Sequence, residues 1–459
     1  MTSPFTNLRT RHPALRYRGY SLVRADNEVV VTFNITLEPS IEFRPTLSFS
    51  AGGLSDSELA PYLFNLGMVE LISYWKAACP QKVIIEGYKL SEDQRAWWQD
   101  LFLHGLGEFY FTNNINPSDP ELLSIESAGS PPPQRLARTK SLDGELVLAA
   151  GGKDSSLALE MLKRFNPSTR RQVLILNSTR SAAESVQLAG YHDPIIVRRT
   201  IDKNLLSLNA QGYLNGHTPF SAYLAFLGTM IADSRGLSSV IVANERSASE
   251  ENAVFHGLPV NHQYSKGIRF ERRFKEYAQR EFPGGASYYS VIRPLYDLQV
   301  SGLFARVAPN HLSSFRSCNV GQREDRWCGH CPKCAFVYLT IAPFISPDRR
   351  KEIFGAELFE VPSILEAIEE LTGVKNHKPF ECVGTLGESR DALVLTLSRY
   401  EEECREAPQG LRDIAQKLSK QGHLPSLESA KSTLRSWTDE HELPSDYAHK
   451  LRALLAEIG

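Results

Sequence analysis

No stretch of this chain approaches the roughly twenty apolar residues that a helical membrane crossing takes, so a membrane anchor of that kind is excluded. Charge is nearly balanced: 459 residues carry a formal net charge of −2, which supplies no broad basic field for nucleic acid. The segment Met1 to Tyr20 has Arg9, Arg11, Arg16 and Arg18 but no apolar core beside them, so no secretory leader is expected. Cysteine is sparse and odd in number, seven in all, with four crowded between Cys318 and Cys334. That pattern argues against a disulfide framework and for metal or thiol chemistry in a reducing cytoplasm. No internal repeat is visible, and Ser127 to Gln134 is the sole low-complexity piece, a proline-stiffened linker by composition.

What is present is ordinary for a globular protein: 42% hydrophobic and 23% charged residues. The length exceeds one typical core and predicts two or three domains. Composition and periodicity divide the chain into an α+β N-terminal domain (1–126), a Pro-rich linker (127–144), an α/β domain (145–345) and a mainly helical C-terminal region (346–459). In the first part, Leu22-Val23 and Val29 to Ile35 read as strands around an Asp26-Asn27 turn. Helix Leu59–Ala78 and strand Val83–Ile85 follow. Trp97, Trp98, Leu101 and Phe102 line a further helix that Gly105 ends, and core packing explains them better than a binding platform. This part has no chemical motif and is expected to shape a pocket or an interface.

From Glu145 strands and helices alternate: strand Leu146–Ala149, helix Ser155–Phe165, strand Val173–Leu176, helix Arg180–Ala189, strand Ile195–Val197, helix Thr218–Ser234, strand Val240–Ala243. Such alternation implies a parallel sheet covered on both faces, with ligands beyond the carboxyl ends of its strands. Gly151, Asn177, Arg198, Arg199 and Asn244 are then expected on one rim around a nucleotide-sized crevice. Late in the chain, Leu411, Ile414 and Leu418 form one amphipathic stripe, and Tyr447, Leu451, Leu454, Leu455 and Ile458 another.

The most informative stretch is Leu146-Val147-Leu148-Ala149-Ala150-Gly151-Gly152-Lys153-Asp154-Ser155-Ser156. A strand breaks into two glycines and a helix begins, so consecutive N–H groups and the positive end of a helix dipole face one point, a setting suited to phosphate. Asp154 follows Lys153 where a Walker A loop needs Ser or Thr, and the third glycine of the dinucleotide fingerprint is missing. An ordinary glycine turn is the bland alternative. The stretch resembles the Ser-Gly-Gly-x-Asp-Ser loop of the N-type ATP pyrophosphatases, the PP-loop family, with Ala150 in place of the serine. The resemblance implies a HUP-like core that splits ATP between its α- and β-phosphates and leaves an adenylylated substrate.

Cys318, Cys328, Cys331 and Cys334, with nine, two and two residues between them, have the spacing of a closed tetrahedral Zn²⁺ site, redox use of the Cys-x-x-Cys pairs being the alternative. A similar cluster closes the catalytic domain of cyano-deazaguanine synthase, another PP-loop enzyme. The polar runs Asn244 to Asn252, Asn261 to Lys266, Ser290 to Leu295 and Lys378 to Thr385 resemble those of the MurL family, the UDP-N-acetylmuramoyl-L-alanyl-L-glutamate epimerases of peptidoglycan synthesis. That resemblance covers most of the chain. It implies UDP-MurNAc-L-Ala-L-Glu as substrate, inverted at its terminal glutamate, with ATP and Mg²⁺ used and no nucleic-acid or membrane partner. Oligomeric state stays open.

Under this reading Ala150, Gly151, Gly152, Lys153, Ser155 and Ser156 surround the pyrophosphate, Asp154 holds Mg²⁺, and Asn177 and Arg198 belong to the nucleotide site. Asn244, Arg246, Asn261, Tyr264 and Arg293 are the substrate-binding candidates, and the arginines suit forked phosphate or carboxylate contacts. Asp154, Cys382, His262, Glu381 and Lys266 are the catalytic candidates, with Tyr264 also on the acid/base shortlist. Taken singly, His217 and His262 could be satisfied structural histidines, and Cys382 a small buried hydrophobe. A PP-loop enzyme that modifies tRNA or a nucleobase, and a non-catalytic nucleotide-binding module, are the competing functional classes.

Overall fold

The structure, a computed structural model, describes residues 4–133, 142–318, 320–321, 324–375 and 378–458. Its strands are β1 (Ala14–Ala25), β2 (Glu28–Leu37), β3 (Ile41–Phe43), β4 (Thr46–Ser50), β5 (Lys82–Tyr88), β6 (Ser124–Ser130), β7 (Glu145–Leu148), β8 (Arg171–Leu176), β9 (Ile195–Thr200), β10 (Ser239–Val242), β11 (Ala253–Phe255), β12 (Leu258–Val260) and β13 (Ser287–Ser290). The protein is a mixed α/β fold built on one eleven-stranded sheet, ordered β13-β10-β7-β8-β9-β4-β2-β1-β5-β6 with β3 branching from β2. The five strands from β13 to β9 are parallel, as are β1, β5 and β6. An antiparallel bridge, β9-β4-β2-β1, joins the two wings. A hairpin, β11-β12, stands apart. Among the described residues no helix is long and apolar enough to cross a membrane.

The pleat sorts the core by face. Leu146, Leu174 and Val240 enter one apolar cluster, which the N-terminal helices and strands share, while Val147, Val173, Ile175 and Ile241 enter a second, shared with the C-terminal helices. A strand buried on both faces must be apolar at consecutive positions, which is why β7 reads Leu-Val-Leu. Strand β2, between β4 and β1, alternates instead, with Val29, Val31, Phe33 and Ile35 buried.

Helix Asp56–Trp75 opens with a Ser55/Glu58 capping box and is buried along almost its whole length between β1 and helix Phe220–Ser234. Gly67 permits this approach, since a Cβ there would fall 1.9 Å from the Tyr17 hydroxyl. Asp233 locks the layers by accepting from the Tyr62 hydroxyl and from the Ala286 N–H at 3.1 Å. Trp98 is fully buried and stacks on Phe226 with ring centroids 5.5 Å apart, so the tryptophan pair is core.

Two expectations are corrected. Ser127 to Ser130, assigned to the linker, finish strand β6 against β5, because their backbone groups complete a parallel ladder. Residues 134–141 of that linker lie outside the described residues. Strand β9 does not end at an open rim: Arg198 and Arg199 pair with Ser48 and Leu47 of β4. Arg198 is exposed there. Arg199 turns inward and donates to both carboxylate oxygens of Glu70, at 2.8 and 2.9 Å, with its guanidinium 4.8 Å from the Tyr223 ring centroid. Asn177, left-handed at φ 50°, exchanges hydrogen bonds with the Arg199 backbone. The junction of the two wings thus engages the Arg199 and Asn177 side chains, while the Arg198 side chain stays exposed.

Removing one partner of such a buried pair leaves the other charge stranded, so Glu70→Ala is expected to lower stability by about 3 kcal/mol. Chemical denaturation measures this; an unchanged midpoint would mean that the Arg199 contact is dispensable.

Candidate active site

The carboxyl ends of β7, β8 and β10 open a cleft of about 220 Å³. Leu148, Leu174, Leu176 and Val242 form an apolar wall, and Ala150, Gly152 and Asp154 form its polar end. Gly151 has φ 78°, and a Cβ on it would lie 2.4 Å from the Ala182 amide nitrogen, so glycine is required twice over. Ser155 lines the cleft and donates to the Gly152 carbonyl at 3.2 Å. Two residues expected at the phosphates are placed otherwise. Ser156 is fully buried, sharing a 2.7 Å hydrogen bond with Ser185 and donating to Gly152 at 2.9 Å, because it is on the helix face that packs inward. The Lys153 ammonium is likewise buried, paired with Asp154 and, at 2.8 Å, with Asp297.

Beside the cleft lie two clusters. Asp154, Glu245 and Asp297 bring carboxylate oxygens within 4.8 Å of one another. Burial works to raise Asp154, but Lys153, Lys333 and Lys266 hold it below the usual carboxylate range. Burial raises Asp297, and its Oδ2 has no hydrogen-bond partner among the described residues. Glu388, buried next to Asp297, is pushed up to about 7. The four sulfurs of Cys318, Cys328, Cys331 and Cys334 also gather within 4.8 Å, with Cys318–Cys331 at 3.8 Å and Cys328–Cys334 at 3.6 Å. The Gly321 and Cys334 amides donate to the Cys318 and Cys331 sulfurs at 3.2 and 3.4 Å, contacts that favour the thiolate form.

Lys266 lines the cleft together with Asp154 and also faces Cys382. Burial would raise the Cys382 thiol, but Lys266, a hydrogen bond with His262, and Lys333 bring it down to about 6. His262 responds in the opposite sense: burial disfavours its charge, yet Cys382 and Glu108 raise it to about 9. Lys266 is held protonated well above the usual range, because Cys382, Glu245 and Asp154 outweigh its burial. The segment Lys378 to Thr385 thus reaches Lys266 at the border of the cleft, with Cys382 next to the lysine and Glu381 half-buried at the preceding position.

The substrate-binding candidates divide. Asn244 lines the cleft, anchored by its N–H donating to Ser290 at 2.8 Å. Arg246, stacked 4.5 Å from the Tyr296 ring centroid, lines a separate polar cavity with Glu250 and Thr385. Asn261 and Tyr264 line a third with His104 and Arg269, and the Tyr264 hydroxyl donates to Asp100 at 2.6 Å. Arg293 borders the same polar cavity as Arg246 but is almost wholly buried, and it donates to Glu271 at 2.7 Å and to the Glu245 and Lys266 carbonyls at 2.8 and 2.6 Å. Its forked donors brace the backbone that presents Glu245 and Lys266.

Sequence reasoning missed Glu108, Glu245, Asp297, Lys333 and Glu388 as site residues. Asp297 starts helix Asp297–Val307, where an acidic residue ordinarily just complements the dipole, and Glu388 reads as the partner of Thr385 in a capping box. Lys333 is hidden between two cysteines and Glu245 within a polar run, and Glu108 sits in no local motif.

A parallel sheet opening a glycine-turned cleft at its strand ends, with a thiol, two histidines and lysines at its margin, defines an α/β enzyme. The sequence then gives its family. Residues 6–291 match the family model of the MurL N-terminal domain and residues 312–424 that of the MurL C-terminal domain, and the chain belongs to the MurL family. A protein of Xanthomonas oryzae pv. oryzae named UDP-N-acetyl-alpha-D-muramoyl-L-alanyl-L-glutamate epimerase is 33% identical over 422 residues, covering 90% of each chain. Similarly named proteins of a Micromonospora strain and of Salinispora tropica are 33% and 32% identical, covering 87% of this chain and 89% and 87% of their own. No solved structure matches the chain.

With the thiol lowered to about 6, Cys382 is thiolate above that pH and loses nucleophilicity below it. Lys266→Met removes a facing positive charge and is expected to move the midpoint of Cys382 alkylation upward, followed by peptide mass spectrometry against pH. An unmoved midpoint would show that Lys266 does not face the sulfur.

Proposed function

We propose that this chain inverts the terminal L-glutamate of UDP-MurNAc-L-Ala-L-Glu, the substrate in its relatives' names, and that it consumes ATP to do so. The observation that supports this most directly is that one side chain, Lys266, borders both the glycine-turned cleft and the Cys382 thiol. Phosphate chemistry and proton chemistry therefore meet at one point.

The α-proton of a free amino-acid terminus is hard to remove, because the carbanion forms beside a carboxylate already bearing charge. Attack of that carboxylate on the α-phosphate of ATP expels pyrophosphate and yields a mixed anhydride, whose uncharged carbonyl accepts electron density. The Cys382 thiolate takes the α-proton and becomes a thiol, while the electron pair moves into the carbonyl. Return of a proton to the opposite face inverts the centre, and water then splits the anhydride into AMP and the D-glutamate product. Protonated Lys266 next to the carbonyl region is suited to offset the negative charge of the enolate. The apolar wall of the cleft fits an adenosine, and the backbone N–H groups after Gly151 fit its phosphates. A reaction that consumes ATP and needs a reduced thiol suits the cytoplasm, and we assign it there.

Mg²⁺, which neutralises phosphate charge when bound, suits Asp154, Glu245 and Asp297: three oxygen donors within 4.8 Å, one with a buried orphaned oxygen. Zn²⁺ suits the four cysteines, where it would serve structure, cross-linking the segment after residue 318 to helix Pro332–Ile341.

Incubation with ATP and UDP-MurNAc-L-Ala-L-Glu, followed by chiral analysis, should yield D-glutamate with release of AMP; retention of the L-centre would sink the proposal. Asp154→Ala and Asp297→Asn should each reduce AMP release by about a hundredfold or more, read by nucleotide chromatography. Metal analysis should find about one zinc per chain, lost in Cys331→Ser; metal-free protein from zinc-replete medium would contradict the structural site.

A further inference from the structure

Glu108 lies in the short helix Gly107–Thr112 of the N-terminal part, far in sequence from every motif described above. Its Oε2 accepts a hydrogen bond from His262 Nδ1, and the same imidazole is hydrogen-bonded to the Cys382 side chain. The His217 ring is the second neighbour, with Nδ1 3.8 Å from the same carboxylate oxygen and its centroid 4.2 Å from that of His262. Burial and the charge on His262 hold His217 down at about 2, so it stays neutral and leaves the positive charge on His262.

The scaffolding around this line of groups is specific. Asn252 accepts from the His262 backbone N–H at 2.9 Å and donates to the Pro379 carbonyl at 3.0 Å. Gln263 donates to the Val383 carbonyl at 3.0 Å, and the Lys333 ammonium to the Cys382 carbonyl. The segments bearing His262 and Cys382 are thereby clasped on both sides of the thiol, a rigid arrangement for two residues 120 positions apart in the chain. Gly107 lies against the Val260 backbone, where a Cβ would be 3.5 Å from the Val260 Cα, so the helix holds Glu108 close to the loop that starts at Asn261.

We propose that Glu108 is a positioning residue that completes a Cys382–His262–Glu108 relay, orienting the imidazole and stabilising its charge so that the thiol works as a proton acceptor. The logic is that of any nucleophile–base–carboxylate line: the carboxylate fixes tautomer and orientation without touching substrate. This rests on Cys382 being the proton-transferring group of the proposed reaction, and it makes the N-terminal part a component of the catalytic apparatus. The other charged groups facing the thiol are Lys266 and Lys333. Lys76 lies beyond Glu108 and His217, and Glu245 and Asp154 lie beyond Lys266.

The test measures Cys382 alkylation by iodoacetamide against pH in the full-length protein, by peptide mass spectrometry, with exposed Cys404 as internal reference. Glu108→Gln is expected to slow Cys382 alkylation at pH 6 by about tenfold relative to Cys404, and Glu108→Asp to recover part of it. Solvent-deuterium incorporation at the glutamate α-carbon should fall in parallel through kcat, with KM unchanged. Should Glu108→Gln fail to fold, His262→Asn breaks the line at its middle and must slow alkylation at least as far. An alkylation profile that neither variant moves overturns the relay. Cys382→Ala separates the two readings: deuterium incorporation that survives it removes Cys382 as the base, whereas its loss with an unmoved Glu108→Gln profile removes the relay alone.

Discussion

Three ammonium groups, from Lys153, Lys266 and Lys333, are interleaved with Asp154, Glu245, Asp297 and the Cys382 sulfur at the ends of the parallel strands. A buried charge is tolerable only beside its opposite, so none of these groups can be removed without exposing the next. The same alternation lowers the thiol, keeps Asp154 ionised and leaves the buried Asp297 Oδ2 without a hydrogen-bond partner among the described residues. Stability and reactivity at this point are therefore one electrostatic arrangement.

The sheet explains how such distant residues converge. Because β9 pairs antiparallel with β4, the N-terminal wing continues the α/β wing, and the apolar clusters divide by face of the sheet. Helix Asp56–Trp75 shares its cluster with helix Phe220–Ser234, and behind them the helix with Glu108 comes to lie against β12 and the His262 loop. The C-terminal helices occupy the opposite face and bring Lys378 to Thr385 over the strand ends. The match of the MurL N-terminal domain to residues 6–291 runs through both wings without a break.

Much of the α/β wing could be read locally, since its signals are local. Leu146 to Ala149 read as a two-faced strand, Gly151 and Gly152 as a tight turn, and Ser155–Phe165 as an amphipathic helix, which begins two residues earlier in the structure. The four cysteines announced themselves by spacing, and Cys382 with His262 by their place in polar runs. The surroundings of Arg198, Asn177 and Arg293 were not legible for one reason: an arginine or asparagine near a strand end looks the same whether it meets a ligand or a neighbouring strand. Which of these it meets depends on the partner, here β4 for Arg198, the Arg199 backbone for Asn177, and Glu271 for Arg293.

The chain's order of residues thus determined the elements, the glycine turn, the cysteine cluster and the family, because each depends on contacts a few positions apart. Only the tertiary structure decided that Glu108 meets His262, that Asp297 joins Asp154, and that Lys266 faces both cleft and thiol. Those encounters span tens to hundreds of positions, and a buried charge has no local sequence signature: its partner is chosen by how the faces of the sheet are covered.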